Sequence, residues 1–145
     1  FGDPAKGQQM ALAMFEGGAD IVYQVAGGTG IGIIEAAKAE GHYAIGVDTD
    51  QDSMAPGHVL TSMIKRVDVA VENIIKSHAA GNFPGGEVMS FGLVENGVAL
   101  SEMKHTKHLI PNSYLTKVDT LKADIMAGKI DVWDVSTQGY PTFFK

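Results

Sequence analysis

The chain has 145 residues, 45% apolar and 19% charged, and its 11 basic and 17 acidic residues give a formal net charge of -6. This composition is typical of a folded globular chain and excludes the disordered and collagen-like classes, while the negative charge disfavours capture of nucleic acid or of an anionic membrane. The sequence contains no cysteine, which excludes thiol catalysis, zinc-thiolate sites and disulfides.

The first fifty residues alternate between helix and strand signals separated by glycines. In chain order, the patterns predict a helix that begins at Asp3-Pro4 and ends at Gly17-Gly18, a strand over 20–26, a helix over 31–40 and a strand over 43–47. Short connections between strand, helix and strand are typical of parallel pairing with right-handed crossovers. We therefore predict an α/β fold in which residues 1–50 form a three-layer unit and the two strands are parallel neighbours.

The patterns of the second half are more varied. They predict an extended piece over 59–63, a helix over 65–80, edge strands over 87–93 and 97–100 joined by an Asn96-Gly97 hairpin turn, and a helix from a Ser113 cap to Gly128. The helix over 65–80 carries an apolar stripe that includes Val67, Val71 and Ile75, and such a stripe has to be covered. The tail from Trp133 to Lys145 shows no clear period.

A glycine-rich segment, AGGTGIG at residues 26–32, joins the first predicted strand to the second helix. Glycines let the backbone adopt positive φ and approach a ligand, and a helix start offers free N–H donors. Gly28 and Gly30 match a dinucleotide-binding fingerprint, but Ile33 stands at its third glycine, while Asp48 lies where a ribose-binding acid is expected. The segment is therefore either a ligand-binding turn or a purely structural one.

Three carboxylates, Asp48, Asp50 and Asp52, follow the second predicted strand, at the edge where open α/β sheets bind ligands. An EF-hand would need Gly at its sixth position and Glu at its twelfth, and Ser53 and Val59 stand there, so no metal site is predicted. A single carboxylate that accepts hydrogen bonds from two vicinal sugar hydroxyls is chemically simpler. Replacement of Asp52, further along the loop, is expected to be a near-silent control for ligand binding.

Other chemistry-bearing residues give weaker signals. Lys65-Arg66 stands at the predicted start of the third helix, where cations oppose the helix dipole, so the pair is either a surface pair or a functional one. The five histidines are scattered and are expected to be exposed rather than metal-bound. The specific motifs of serine hydrolases, P-loop proteins and zinc proteases do not occur, and we predict neither an enzyme nor a cofactor.

Four segments, in this order, carry a resemblance to a known family: DPAKGQQMA (3–11), GADIVYQVAGGTGIG (18–32), IGVDTDQD (45–52) and LTSMIKRVD (60–68). Together they resemble the basic membrane protein family of substrate-binding lipoproteins of ABC importers, which are similar to the purine nucleoside receptor of spirochaetes. The resemblance is dense over residues 1–100 and continues through 125–132. It is carried by the order and spacing of the segments, not by one motif.

The resemblance implies a type I periplasmic-binding-protein fold, in which two Rossmann-like lobes joined by three hinge crossings close on a nucleoside. A complete member is about twice as long, and the chain begins at Phe1 directly before a helix start, so we expect a C-terminal half. Residues 1–57 would then belong to the second lobe, residues 58–104 would cross back to the first, and the lobe of 105–145 stays open. The stripe of the 65–80 helix would lack its sheet and need a partner.

The resemblance also implies ligand contacts for six residues. Phe1 would stack on a purine face, Gly27 and Gly28 would bring the backbone against the ligand, Asp48 would accept from the ribose hydroxyls with Asp50 as second choice, and Lys65 would donate to ribose or base. The implied partners are a purine nucleoside, an ABC permease and the missing N-terminal half or another chain. The implied location is extracytoplasmic, either periplasmic or lipid-anchored to the membrane.

Two other classes of function are also compatible with the residues. A Rossmann-type nucleotide-cofactor domain of an oxidoreductase would use Gly28, Gly30 and Asp48, although Ile33 and the missing first strand count against it. An interaction domain, in which the glycine turn and the acidic loop are only structural, would bind no small molecule tightly.

Overall fold

The computed structural model describes residues 1–142, so the last three residues of the tail lie outside the described part. The chain divides into a first compact unit, Phe1–Ile110, and a second unit that begins at Pro111. The first unit contains α1 (Pro4–Glu16), β1 (Ile21–Tyr23), α2 (Thr29–Glu40), β2 (Tyr43–Asp48), β3 (Val59–Lys65), α3 (Val67–Ala79) and β4 (Val98–Leu100).

The four strands form one sheet in the order β1-β2-β3-β4. Strand β1 pairs in parallel with β2, and Val22 lies opposite Ala44; β2 in turn pairs in parallel with β3. The predicted α/β class and the parallel pairing of the first two strands are therefore confirmed. Because β1, β2 and β3 run in the same direction, their carboxyl ends lie on one edge of the sheet.

Helices α1 and α2 pack against each other at close range and cover one face of the sheet. Asp3 caps α1 as predicted, its side chain accepting from the Lys6 amide at 3.0 Å. A Cβ at Gly7 would overlap the carbonyl of Thr29, so this glycine permits the close approach of the two helices. Their buried core contains Ala11, Phe15, Val22, Ile34, Ala36, Ala37, Ala44, Ala55 and Val59.

Residues 1–50 supply two of the three predicted layers, one helical layer and the sheet. Val22 faces the helices and is 7% exposed, whereas its neighbours Ile21 and Tyr23 point to the other face and are 45% and 49% exposed. This alternation follows from the period of a strand, whose successive side chains point to opposite faces. Within the described residues, the second face of β1 is thus left without a helical layer.

The structure corrects two predicted elements. Strand β3 continues through Lys65, and α3 begins only at Val67, so Lys65 ends a strand and does not start a helix. Residues 87–93 run as a loop, and β4 pairs antiparallel with β3, Met63 opposite Leu100. The predicted hairpin across Asn96-Gly97 is therefore wrong, although β4 does lie at the sheet edge as predicted.

Helix α3 lies in the first unit with all of its 13 residues at least partly exposed. Val67, Val71 and Ile75 are 54%, 51% and 61% exposed, although they recur at helical spacing. An amphipathic helix gains most of its stability from burying its apolar face. The described residues thus leave the α3 stripe uncovered, and its pairing with another chain or half stays a prediction.

The second unit contains the helices α4 (Asn112–Met126) and α5 (Val135–Gln138). Pro111 precedes the first residue of α4, so Ser113 lies inside the helix and not at the predicted capping position. Asp134 caps α5 by accepting from the Ser136 amide at 2.9 Å, within the tail that shows no clear period in the sequence. Across residues 1–142, no helix combines the length and the apolarity that a membrane crossing requires.

Candidate functional site

The six candidate residues lie at the carboxyl edge of the three parallel strands. Phe1, Gly27 and Gly28 surround the turn that follows β1, Asp48 and Asp50 stand at the end of β2, and Lys65 ends β3. Ligands of open α/β sheets bind at this edge, because loops from neighbouring strands meet there and helix N-termini point toward it. The structure thus gathers residues that are far apart in the sequence along one edge.

Phe1 lies directly against the glycine turn. Its carbonyl oxygen accepts from the amide of Thr29 at 3.1 Å, and a Cβ added to Gly27 would come within 3.3 Å of that oxygen. The φ of Gly27 is +54°, a conformation that a glycine adopts without steric cost. Phe1 is 92% exposed, so its ring is accessible to a flat apolar ligand at this edge.

Asp48 and Lys65 form an ion pair across the ends of β2 and β3. Lys65 Nζ lies 2.8 Å from Asp48 Oδ1, and the two side chains are 56% and 48% exposed. The pair follows from the strand register, in which Asp48 lies opposite Ile64, next to Lys65. Asp48 has φ +68°, and aspartate tolerates this left-handed conformation better than most residues. The strand therefore ends with an accessible carboxylate beside an accessible ammonium.

The ion pair lies in an open depression of about 470 Å³. Its lining consists of Asp48, Thr49, Asp50, Ile64, Lys65, Arg66, Asp68, Ala99, Leu100, Ser101 and Glu102. Arg66 donates to both carboxylate oxygens of Asp68, with Nη2 2.8 Å from Oδ2. These bonds lower the pKa of Asp68 and raise the pKa of Arg66. The cations at the end of β3 are thus each paired with a carboxylate.

A buried set of polar side chains lies beneath this edge, and the sequence analysis did not identify it as a unit. Ser101 donates to Asp52 Oδ1 at 3.1 Å, and the Ser62 amide donates to the Ser101 hydroxyl at 3.0 Å. Gln24, Asp52 and Ser62 are at most 2% exposed. The sequence signal for this buried set is a polar residue inside an apolar run, such as Gln24 in VYQVA. A polar side chain that is buried usually has hydrogen-bond partners.

Asp52 is buried and hydrogen-bonded, so its replacement is expected to affect folding, whereas its small effect on ligand binding stays a prediction. Its carboxylate accepts from Ser101, so its replacement by an apolar residue would leave buried hydroxyl groups without this acceptor. Burial, followed by the negative charge of Asp50, raises the pKa of Asp52 above its usual value, while the hydrogen bond from Ser101 opposes this shift. The acids at and after the end of β2 are therefore of two kinds: Asp48 is half-exposed and Asp50 exposed, whereas Asp52 is buried.

The glycine-rich segment has structural explanations for two of its glycines. Helix α2 begins at Thr29, two residues before the predicted start, so Gly30 and Gly32 lie inside it. A Cβ at Gly30 would overlap the side chain of Gln24, and one at Gly32 would overlap the carbonyl of Pro4. Gly30 therefore accommodates Gln24, which weakens the interpretation of Gly28 and Gly30 as a dinucleotide fingerprint. Gly27 and Gly28 remain at the open edge.

The histidines do not assemble into a metal centre in the described part of the chain. Three or more His, Asp or Glu side chains in a metal-binding arrangement are not found among residues 1–142. His58 Nδ1 lies 3.0 Å from the carbonyl oxygen of His42, and the His42 ring stacks on Phe15 with ring centroids 4.5 Å apart. Both rings are half-buried, so the expectation of exposure is wrong for His42 and His58.

Comparisons with known proteins give the family. A family model described as "Bmp: ABC transporter substrate-binding protein PnrA-like" matches residues 1–134. The chain is 38% identical to the "CD4+ T-cell-stimulating antigen" of Listeria monocytogenes and 36% identical to the "ABC transporter nucleoside-binding protein BmpA" of Lactococcus lactis. Each alignment covers 91% of this chain and 41% of the relative.

A solved structure is similar over most of the chain. The chain superimposes with a TM-score of 0.75 and 30% identity on a solute-binding protein of an ABC transporter system from Aeropyrum pernix K1, covering 94% of this chain and 47% of that one. The chain thus spans less than half the length of the proteins it is similar to. Because the family model covers most of the chain, this protein belongs to the Bmp family of PnrA-like ABC transporter substrate-binding proteins.

Proposed function

We propose that this chain supplies one side of a cleft that captures a purine nucleoside between two lobes and hands it to a membrane permease. The observation that carries the proposal is the exposed pair of Asp48 and Lys65 at the carboxyl edge of the parallel strands. A carboxylate that accepts one bond from Lys65 retains acceptor capacity for two vicinal hydroxyls. The name of the Lactococcus lactis relative, a nucleoside-binding protein, supports the same ligand class.

The charge balance of the depression also supports a neutral ligand. Among the described residues that line the depression, the cations are Lys65 and Arg66, and each is paired with a carboxylate, so neither is left free to attract a phosphate group. Acidic Asp50 and Glu102 also line the depression and would repel an anion. Hydrogen bonding and stacking, rather than charge, would select the ligand. A nucleoside therefore fits this surface better than a nucleotide.

Each candidate residue has a distinct role in the proposal. Phe1 stacks on the purine, the backbone at Gly27 and Gly28 approaches the ligand, Asp48 accepts from the ribose hydroxyls, and Lys65 donates to ribose or base. Asp50 is the second choice for the ribose. Closure of the two lobes is a population shift, because only the closed state lets the ligand contact both of them.

The proposal also assigns segments of the chain to the two lobes. Residues 1–57 contribute to the second lobe, residues 58–104 contain the hinge crossing and the return to the first lobe, and the lobe of 105–145 stays unassigned. In a protein of full family length, the missing half or another chain would complete the cleft. Such a protein would work outside the cytoplasm, in the periplasm or anchored to the membrane by lipid.

The test is calorimetric titration of a family-length protein that carries this chain. Inosine and adenosine should bind, hypoxanthine and adenine should bind more weakly, and inosine monophosphate should bind worst because its phosphate would meet the acidic lining. NADH serves as the probe for the oxidoreductase alternative. Binding of NADH without nucleoside binding would support that alternative, and binding of none of these probes would favour an interaction domain.

A further inference from the structure

Gln24 lies at the end of β1, is 1% exposed, and uses both ends of its side-chain amide. Its Oε1 accepts from the Ala26 amide at 3.1 Å, and its Nε2 donates to Gln51 Oε1 at 2.7 Å. The first bond holds the chain that leads into Gly27 and Gly28. The second bond crosses to the loop that follows β2.

Gln51 extends this hydrogen-bond network to β2 and β3. Its side-chain Oε1 also accepts from the Val47 backbone amide at 3.0 Å. Its backbone amide donates to the Ser62 hydroxyl at 3.0 Å. Val47 directly precedes Asp48, and Gln51 directly follows Asp50. The Gln51 side chain therefore spans the base of the loop that carries both candidate ribose acids.

Two glycines next to Gln24 and Gln51 leave the space that the two side chains occupy. A Cβ at Gly30 would overlap the Gln24 amide, and a Cβ at Gly46 would lie 2.7 Å from Gln51 Oε1. Both glycines face the pair from regular elements, α2 and β2. Close packing of this kind holds side chains in single rotamers, and a buried amide with satisfied hydrogen bonds is strongly oriented.

We propose that Gln24 and Gln51 are positioning residues that set the glycine turn and the acidic loop at a fixed separation, so that one ligand can contact both. The proposal rests on the nucleoside-binding function proposed above. Neither side chain is assigned a ligand contact. A ligand binds more weakly to a surface made from two loops when the relative position of the loops fluctuates. Binding must then also fix the loops, and the entropy lost in doing so reduces the net binding free energy.

A substitution at Gln24 can distinguish the effect of its hydrogen bond to Gln51 from the effect of the space that its side chain fills. In a Gln24→Glu variant, a protonated carboxyl group can donate to Gln51 Oε1 and accept from the Ala26 amide, as the amide does. The ionised group cannot donate, and its charge would face the Gln51 oxygen. Burial raises the pKa of such a carboxyl group, so lowering the pH should restore the bond. In Gln24→Ala, no pH restores it.

The first measurement needs no ligand. Hydrogen exchange resolved to single amides should show faster exchange at Val47 in Gln24→Ala than in the wild type, although residue 24 follows a different strand, β1. A matched control is Gln9→Ala, which removes an exposed glutamine from α1. Faster exchange confined to residues 24–30, with Val47 unchanged, would overturn the proposal.

The second measurement is inosine binding from about pH 8 to about pH 5, a range over which a buried carboxyl group is expected to titrate. Other ionisable groups at this edge are Asp48, Asp50, Asp52 and Lys65, and they are present in every variant. Relative to the wild type at each pH, Gln24→Glu should bind roughly tenfold more weakly at high pH and recover at low pH. Gln24→Ala should stay weak throughout.

The outcomes separate this proposal from the function on which it rests. If the wild type binds inosine and Gln24→Glu shows no recovery relative to Gln24→Ala, the positioning role is wrong while the proposed function stands. If the wild type binds no nucleoside, the proposed function fails, and the exchange of Val47 still decides whether the pair couples the two loops.

Discussion

Lys65 Nζ lies 2.8 Å from Asp48 Oδ1, although the two residues end different strands. The parallel register of β2 and β3 places Ile64 opposite Asp48 and so brings Lys65 alongside it. An exposed ion pair of this kind contributes at most about 1 kcal/mol to folding. The pair therefore adds little to stability, and its role in ligand binding is tested by the variants below.

Replacement of Asp48 should weaken nucleoside binding far more than folding. Asp48→Asn removes the charge while keeping a residue that tolerates the φ of +68°, whereas Asp48→Ala adds backbone strain. Loss of a charge-assisted bond worth roughly 1.5–3 kcal/mol should raise the dissociation constant for inosine at least about tenfold. Calorimetry with inosine and with hypoxanthine checks this, because only the nucleoside carries the ribose.

The control for this prediction is Asp20→Ala, because Asp20 is exposed and precedes β1 at the opposite edge of the sheet. It should leave the affinity for inosine unchanged. Equal losses for inosine and hypoxanthine in Asp48→Asn would mean that Asp48 shapes the loop without contacting the ribose.

Asp48 and Lys65 should be coupled more strongly in ligand binding than in folding. A double-mutant cycle of Asp48→Asn and Lys65→Met should give a coupling energy below about 1 kcal/mol for the free energy of unfolding, because water screens the exposed pair. In inosine affinity, each single variant should weaken binding, and the double variant should lose less than the sum of the two. Purely additive losses in affinity would show that the two side chains act independently on the ligand.

Asp52→Asn should change how stability depends on pH. The pKa of Asp52 is raised in the folded state, so the folded protein binds this proton more tightly than the unfolded chain does. Its contribution to stability is present below the unfolded pKa of 3.8 and is lost as the pH rises through the folded pKa. The difference in unfolding free energy between Asp52→Asn and the wild type should therefore shift in favour of the variant as the pH rises from about 3 to about 7.

Urea denaturation at several pH values measures this difference. Asp20→Asn is a matched control, since it makes the same chemical change at an exposed position outside the buried polar set. A difference between Asp52→Asn and the wild type that is independent of pH would contradict the raised pKa.

Gly30→Ala should destabilise the protein through Gln24. The added methyl group would overlap the Gln24 side chain, and overpacking of this kind costs roughly 1–3 kcal/mol. The double variant Gly30→Ala with Gln24→Ala should lose less unfolding free energy than the sum of the single variants, because truncation removes the overlapping group. Chemical denaturation measures all three, and Gly2→Ala, whose Cβ would meet open space, should be neutral.

The exposed stripe of α3 should make the isolated chain associate. Val67, Val71 and Ile75 are each more than half exposed and lie on one side of the helix. Contiguous apolar surface of this kind promotes pairing with another chain. Sedimentation should show dimers or larger species that are reduced by Val71→Glu. Asn73→Glu introduces the same charge on the other side of the helix and should leave association unchanged, and a monomeric wild-type chain would contradict the prediction.

Local signals in the sequence were sufficient for the first elements of the fold. Asp3 caps α1 because its side chain reaches an amide three residues later, and this geometry needs no distant partner. The alternation of strand and helix predicted that β1 and β2 pair in parallel, since a short crossover leaves few other topologies. Asp48 was placed at a strand end for the same reason, so the acidic edge of the site could be predicted.

Long-range contacts decided the rest. Lys65 belongs to a strand because β3 has partners on both sides, β2 and β4, and those partners are distant in the sequence. The pairing of β4 with β3 replaced the hairpin that Asn96-Gly97 suggested, because the turn signal cannot choose between partners. The bond between Gln24 and Gln51 joins two loops whose residues carry no pattern in common. Hydrogen bonds between buried side chains depend on which strands are neighbours, and only the tertiary structure determines that.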